Sequence, residues 1–431
     1  MPGAVHLAHL LPPNPAEKGW EVTRFRDIHE IQIPFLAFVH SLEGEIRGKQ
    51  TLEKGRSGEE KAILVHASPH PKTEVERSLA ELAELARTAN VDVIETFSQR
   101  IHRYSPSYLI GKGKIQEILM KGLALGATLV IFDQDLSPAQ VNNIAGLMDL
   151  KVMDRTQLIL DIFARRARSS TGKIQVELAQ LRYILPRLTG RGSAMSRLMG
   201  GIGGKGPGET KLEMDRRRIK DRIRWLEKDI EESSRGRMER KKQRQRSGLP
   251  AVSLIGYTNA GKSTLLNRLT GSSELAEDRL FATLDPATRR GRLPGGQIVV
   301  FSDTVGFIRR MPKDLRVAFR ATLEELEDAD LFIHVVDATS PYRDEEIEVV
   351  EEVLEELGLA AVPRILCENK CDLAHESGAP KGDKAGLVRI SALTGTGIGE
   401  LLKAVEETLK AFPRSRTGNP GNGPSLDRTR S

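Results

Sequence analysis

The sequence predicts an α/β protein in three structured parts. These are an N-terminal parallel α/β subdomain over 61–154, a long antiparallel helical hairpin over 155–246, and a doubly wound phosphate-loop domain over 249–412. Three observations predict it. Short apolar runs alternate with helix-spaced stretches in the first and third parts, the pattern of a parallel sheet covered by helices. Between them, apolar residues recur at alternating four- and three-residue steps, which makes helix seams. A glycine-framed stretch at 256–263 joins a strand to a helix. Residues 1–60 are weakly patterned apart from the apolar segment Ile31–Val39 and are expected to form a weakly structured extension. Residues 413–431, rich in Pro, Gly, Ser, Asn and Arg, read as a disordered tail.

Composition narrows the class. A chain of 431 residues exceeds a single hydrophobic core, and 39% hydrophobic with 29% charged residues describes a soluble globular protein. No apolar run approaches the roughly 18–20 residues that span a bilayer. The start, MPGAVHLAHLLPPNP, has neither the basic region of a secretory signal nor the arginines of a mitochondrial presequence, so a cytoplasmic location is expected. Two cysteines, Cys367 and Cys371, exclude a disulfide framework and fit a reducing compartment. No second Cys or His pair joins their CxxxC spacing, so both read as packing residues.

In the first part, Ala62–Val65, Val91–Phe97, Ala127–Phe132 and Lys151–Met153 read as strands. Thr73–Thr88, Lys114–Leu125 and Pro138–Met148 read as the helices between them. Gly111-Lys112-Gly113-Lys114, opening one helix, is either a phosphate contact or an ordinary turn.

In the second part, Leu160, Ala164, Ala167, Thr171, Ile174, Leu178, Leu181, Leu185 and Leu188 form one seam. Leu212, Ile219, Ile223, Leu226 and Ile230 form another, and two seamed helices can satisfy each other as a hairpin. Gly172 within the first costs about 1 kcal/mol. The joining loop holds six glycines in the nine residues 200–208, too many for a core and too long for a plain turn. Arg191, Arg197, Lys205 and Lys211 flank it, with Arg216 and Arg217 following, and Arg187 precedes. Such a flexible cationic tip suits a crowded anionic cavity, and structured RNA is the expected partner. Residues 216–246 hold 14 Lys and Arg against 6 Asp and Glu, an excess that repels itself unless an anion lies alongside. Trp225 is the one aromatic there, so backbone and shape contacts are expected over base stacking.

The third part carries the chemistry. The apolar strand with Val252, Leu254 and Ile255 delivers into Gly256, Tyr257, Thr258, Asn259, Ala260, Gly261, Lys262, Ser263 and Thr264. The glycines let backbone N–H groups turn around phosphate oxygens, Lys262 meets the β and γ phosphates, and Ser263 offers a hydroxyl to Mg²⁺. The strand Ile298–Phe301 ends in Asp303, Thr304, Val305 and Gly306; the carboxylate can hold Mg²⁺ through water and the glycine N–H can reach a γ-phosphate. After the strand Val362–Cys367 come Asn369, Lys370 and Asp372, whose carboxylate can accept from guanine N1–H and its amino group, which adenine cannot supply. Val388–Ile390 leads to Ser391, Ala392 and Leu393, whose backbone can meet the guanine carbonyl. Four such motifs in this order, each at the end of an apolar run, place a nucleotide at the carboxyl ends of a parallel sheet.

On these residues, 249–412 resembles a translation-factor-type GTPase domain, and about 61–412 resembles the HflX family. The further carriers are YLIGKGK (108–114), LAQLRYILPRL (178–188), GPGETKLEMDRR (206–217) and FATLDPATRR (281–290). The resemblance implies a cytoplasmic GTPase, partly ribosome-associated, that binds GTP, GDP and the large ribosomal subunit with its rRNA, the hairpin loop reaching toward the peptidyl-transferase region. It implies dissociation or rescue of stalled 70S ribosomes. Thr283 becomes the switch threonine that closes on Mg²⁺ and the γ-phosphate, with Thr288 the second choice, so Lys262, Thr283 and Gly306 are the expected catalytic set. Family members commonly carry Arg and Gln in the glycine-loop region where this chain has Lys205 and Lys211, so charge is kept without a bidentate fork. Many members have a further folded domain after the GTPase domain, for which the 413–431 tail is too short.

Position 307 is Phe where Ras-like enzymes use Gln to orient water, so slow intrinsic hydrolysis stimulated by a docked partner is expected. Arg289 and Arg290 are candidate charge stabilisers, and Asn259 is a candidate to help bind K⁺. A monomer is expected. Two other functions remain open: a GTPase of large-subunit assembly, and an RNA-binding or remodelling protein in which nucleotide is only structural.

Overall fold

The structure, a computed structural model, describes residues 4–10, 20–26, 60–147, 150–188, 211–247, 249–271, 280–281, 287–309, 326–373 and 387–412. Arg191, Arg197, Lys205, Thr283, the segment 31–39, the glycine loop and the tail lie outside the described residues. The described residues fall into two compact units, one within Met1–Ile159 and Pro186–Lys205, the other within Leu160–Leu185 and Gly206–Ser431.

In the first unit, within the stretch that carries no strong pattern, β1 (Val5–Leu10) and β2 (Trp20–Phe25) pair antiparallel, Val5 opposite Phe25 and Leu10 opposite Trp20. A four-stranded sheet follows, made of β3 (Glu60–Ser68), β4 (Val91–Arg100), β5 (Leu129–Phe132) and β6 (Lys151–Asp154) in the order β4-β3-β5-β6, all parallel. The connecting helices are α1 (Lys72–Thr88), α2 (Lys112–Leu125) and α3 (Pro138–Ala145). The α3 start explains itself: the Ser137 side chain accepts from Gln140 N, the Gln140 side chain returns to Ser137 N, and Pro138 occupies the first turn. Ile63, Val65, Val130 and Phe132 of the strands pack with Ile115 and Ile118 of α2 and Ile144 of α3 as one core.

At the carboxyl edge of that sheet lies a buried polar cluster. Asp133 takes His66 Nδ1 at 2.8 Å, Ser78 Oγ at 2.6 Å and Arg155 Nη1 at 2.9 Å, while Arg155 Nη2 donates to Glu81 at 2.7 Å. Burial alone would raise the Asp133 pKa, but the His66 hydrogen bond and the Arg155 charge outweigh it and hold the carboxyl at about 2. Every strong charge there has a partner inside the cluster. It braces the fold. The loop with Gly111–Lys114 carries α2: Gly111 is its N-cap and Lys114 lies 5.0 Å over the Phe97 ring.

In the second unit the first seam divides. One helix through 160–188 is expected, but α4 (Arg155–Arg166) stops and α5 (Ser170–Ile184) starts afresh, because Ser169 caps it by accepting from Gly172 N at 2.9 Å. The glycine thus serves a helix start, and a 3₁₀ turn, Leu185–Leu188, follows α5. Leu178 packs with Ile223 and Leu226 of α6 (Lys211–Ser247), flanked by Ile174, Leu181, Leu185, Ile219 and Ile230, as the two seams predict. Ion pairs brace this contact: Arg222 grips Glu177 with two bonds of 2.7 and 2.8 Å, and Arg182 meets Glu227 at 2.7 Å. Arg222 also covers the Trp225 ring at 4.4 Å. One base of α6, Arg222, thus takes an acid of α5, while one acid of α6, Glu227, goes to Arg182 of α5, so these two pairs leave the basic excess of α6 as it was. Arg216 and Arg217 lie exposed.

The rest of the second unit is a six-stranded sheet in the order β12-β11-β10-β7-β9-β8. Its strands are β7 (Ala251–Ile255), β8 (Thr288–Arg292), β9 (Ile298–Asp303), β10 (Leu331–Asp337), β11 (Arg364–Asn369) and β12 (Leu387–Arg389). All pair parallel except the edge strand β8, which runs antiparallel to β9. The helices α7 (Lys262–Thr270), α8 (Arg343–Glu356) and α9 (Ile398–Ala411) complete the doubly wound fold. Val252, Leu254, Phe301, Ile333, Val335 and Cys367 are buried in the core around it. Burial pushes the Cys367 thiol up, so this cysteine is a packing residue with no thiolate to offer. Thr288 begins β8 opposite Ser302, an exposed position on a strand.

Candidate nucleotide site

The chain leaves the central strand β7 on one side toward β9 and returns on the other to β10, so β7 borders a topological switch point. The loop 256–261 follows it directly. Gly261, at φ +91°, caps α7 in a left-handed conformation that only glycine adopts without strain. Lys262 Nζ curls back and donates to Tyr257 O at 2.8 Å and Gly256 O at 3.1 Å, fixing its ammonium inside the loop. Burial lowers its pKa to about 8, against the opposing pull of Asp303. Asn259, at φ +63°, is left-handed without being glycine. The Thr258 hydroxyl is buried with no hydrogen-bond partner among the described residues.

β9 lies beside β7, Leu254 opposite Asp303. This register brings the two candidate metal ligands together: Ser263 Oγ donates to Asp303 Oδ2 at 2.6 Å. Among the described residues no group of three His, Cys, Asp or Glu could hold a metal ion by itself. The phosphates of a nucleotide would offer a hard cation beside this pair further oxygens. Thr304 turns inward, its hydroxyl donating to Leu254 O at 2.6 Å, and Val305 is buried. A Cβ at Gly306 would lie 2.8 Å from Thr258 Cα and 3.1 Å from Lys262 Nζ, so only glycine lets the two segments approach this closely.

Beyond Gly306 the segment is laced to the loop. Thr258 N donates to Phe307 O at 2.8 Å, Phe307 N to Gly256 O at 3.1 Å, and Arg309 N to the Tyr257 hydroxyl at 2.9 Å. Phe307 is buried, 2% exposed, so its ring is a core group. Sequence spacing gives no sign of this lacing.

Asn369 ties the base-side motifs to the loop: its Nδ2 donates to Ala260 O at 2.8 Å and its Oδ1 accepts from Ala392 N at 2.9 Å. Lys370, at φ +64°, donates to Asp337 Oδ2 at 2.6 Å. The buried Glu368 receives Arg343 at 2.8 Å and Arg389 at 3.0 Å, which anchors the end of β11 from both sides. Asp372 stands exposed in the turn after β11, Ser391 is fully buried with its Oγ accepting from Thr394 N, and Leu393 is exposed. Four motifs more than a hundred residues apart at their extremes thus share one edge of one sheet.

The comparisons with known proteins meet this geometry. A family described as 50S ribosome-binding GTPase matches residues 251–370, and families described as GTP-binding GTPase N-terminal and GTP-binding GTPase Middle Region match 76–164 and 166–244. The GTPase HflX of Caldanaerobacter subterraneus is 49% identical over 83% of this chain and 82% of its own length. The chain belongs to the HflX GTPase family. The GTPase HflX of Escherichia coli is 44% identical, covering 81% of this chain and 83% of its own. A solved GTP-binding protein from Sulfolobus solfataricus in complex with GDP is similar at 25% identity and TM-score 0.45, covering 82% of this chain and 99% of that chain. Guanine nucleotide binding and GTP hydrolysis are therefore properties of this chain, and no helix among the described residues is long and apolar enough to cross a membrane.

Proposed function

We propose that this chain binds GTP and GDP in the 256–264 loop, associates with the large ribosomal subunit, and uses hydrolysis to dissociate or rescue stalled 70S ribosomes. The observation that carries the reading is the convergence of Lys262, Ser263, Asp303 and Gly306 around one loop, with Asn369 joining that loop to the base side. The loop backbone from Gly256 to Thr264 cradles the phosphates, and Lys262 supplies the charge for β and γ. Ser263 would bind Mg²⁺ directly and Asp303 through water, with Thr283 as the third ligand, and the ion would neutralise charge on the nucleotide's phosphates. Gly306 N–H meets the γ-phosphate, Asp372 reads the guanine edge, and the Ser391–Leu393 backbone meets its carbonyl. The description of the matched family supports a 50S partner, as does the exposed basic start of α6. Arg191, Arg197, Lys205, Lys211, Arg216 and Arg217 are the proposed rRNA contacts. The protein acts as a monomer in the cytoplasm, partly ribosome-bound.

The buried Phe307 ring offers no hydrogen bond, so the attacking water is positioned by groups that the ribosome orders, and hydrolysis is slow without it. Asn259, held left-handed in the loop, is the proposed K⁺ contact; exchange of K⁺ for Na⁺ should slow hydrolysis. Sedimentation of 70S ribosomes with the protein and GTP, or a non-hydrolysable analogue, tests the main reading. Free subunits are expected; unchanged 70S with binding confined to precursor particles would establish the assembly reading instead.

A further inference from the structure

Arg268 belongs to no motif, yet it reaches from α7 to the loop that follows β12. Its Nε donates to Ala392 O at 3.1 Å, and its Nη2 donates to Leu393 O. The guanidinium also lies against Gly395, 3.7 Å from where a Cβ would stand. From the other side, Ala392 N–H is already held by Asn369 Oδ1 at 2.9 Å. Both backbone polar groups of Ala392 are therefore clamped, one by each of two elements attached to the phosphate loop.

The consequence is one of peptide geometry. In a planar trans peptide the C=O and the following N–H point in opposite directions. Holding Ala392 O toward α7 turns the Leu393 N–H the opposite way, away from α7. The loop closes on itself through Ser391 N to Thr396 O at 3.0 Å, Gly395 N to Ser391 O at 2.8 Å and Thr394 N to Ser391 Oγ at 3.1 Å. Those bonds fix its shape. Arg268 ties it to α7, and Asn369 ties it to the end of β11.

We propose that Arg268 is a positioning residue for base recognition, setting the Ala392–Leu393 peptide so that the Leu393 N–H is presented to the carbonyl oxygen at C6 of guanine. The inference rests on the guanine site proposed above and deepens it. Arg268 touches no nucleotide; it acts through the loop, and it links the helix that starts at Lys262 to the element that reads the base.

The test compares Kd values of GDP, 6-thio-GDP and IDP for the full chain, Arg268→Met and Arg268→Lys. 6-Thio-GDP keeps the edge that Asp372 reads but replaces the oxygen with sulfur, a weak acceptor. IDP keeps the oxygen and loses the amino group. Arg268→Met should weaken GDP about tenfold, the scale of one hydrogen bond, and shrink the preference for GDP over 6-thio-GDP toward one. The preference for GDP over IDP should be unchanged, and Arg268→Lys should restore part of the loss. Equal weakening of all three nucleotides, which a general loss of folding would give, overturns the proposal, as does no weakening of any. Failure of the wild-type chain to bind GDP would instead sink the guanine site itself.

Discussion

The rings of Phe163 on α4 and Phe281 stack with centroids 4.6 Å apart and planes tilted by 55°, both side chains buried. Phe281 heads the FATLDPATRR segment and is left-handed at φ +55°, a conformation that a bulky residue holds only when its surroundings enforce it. The stretch with the proposed switch threonine thus begins at an aromatic anchor on the helical part of the chain. Phe163→Ala and Phe281→Ala should each destabilise the protein by about 3 kcal/mol in denaturant unfolding. Their double-mutant cycle should show coupling of about 1 kcal/mol, beyond area burial. Strict additivity would remove the anchor.

Lys262 gives a proton signature for binding. Burial lowers its pKa to about 8 from 10.5, so near pH 8 about half the ammonium is deprotonated. Phosphate oxygens favour the charged form, so GDP binding at pH 8 should take up about half a proton, falling to about a tenth at pH 7. Calorimetry in two buffers of different ionisation enthalpy reads this directly. The same shift sets the sign for stability. A lysine with a lowered folded pKa opposes folding while it is charged, so this contribution becomes less unfavourable as pH rises from about 8 toward 10.5. Buffer-independent binding enthalpy at pH 8 would contradict the assignment.

Ser263 and Asp303 meet at 2.6 Å, so either truncation should remove the benefit of the cation. Wild-type GDP affinity should rise on adding Mg²⁺. In Ser263→Ala and Asp303→Asn most of that rise should vanish, a loss of about tenfold or more, with GTP hydrolysis falling further. A variant that keeps the full Mg²⁺ effect places the ion elsewhere.

Phe307→Gln tests whether water is positioned from that side chain. The ring is buried, so the amide would enter the core with unmet hydrogen bonds at a cost of about 1–3 kcal/mol. Thermal stability should drop and hydrolysis by the isolated protein should not accelerate. A clear rate gain would show that position 307 can turn toward the reacting phosphate.

The Asp133 cluster predicts acid behaviour. Its folded pKa of about 2 lies below the ordinary carboxylate value of 3.8, so its stabilisation is complete above about 4 and is lost as pH falls through about 2. Asp133→Asn should lower stability at pH 7 while flattening its fall between those values, as read by unfolding at graded pH.

Much of the nucleotide site is legible in the sequence because its chemistry is local. Four backbone-directed motifs need particular residues at fixed spacing at the ends of strands, and each is short enough to read unaided. The heptad seams are legible for the same reason, since Leu178 and Ile223 meet as their spacing requires. The break before Ser170 is not, because the seam runs on through Ala167 while a single serine hydroxyl decides where the helix begins.

What the residues alone determined is therefore the order of the motifs along one chain: a glycine-framed loop at 256–263, the turn Asp303–Gly306 after a strand, and Asn369, Lys370 and Asp372 after another. The tertiary structure alone decided which side chains of those motifs turn into the core and which stay exposed. It turned Thr304 and Phe307 inward, set Lys262 inside its own loop, and brought Arg268 to a carbonyl 124 positions away. The physical reason is range. Spacing along a chain encodes backbone conformation and the contacts within a turn or two. Partners chosen across a sheet depend on which strands lie side by side, and that is settled only when the whole core packs.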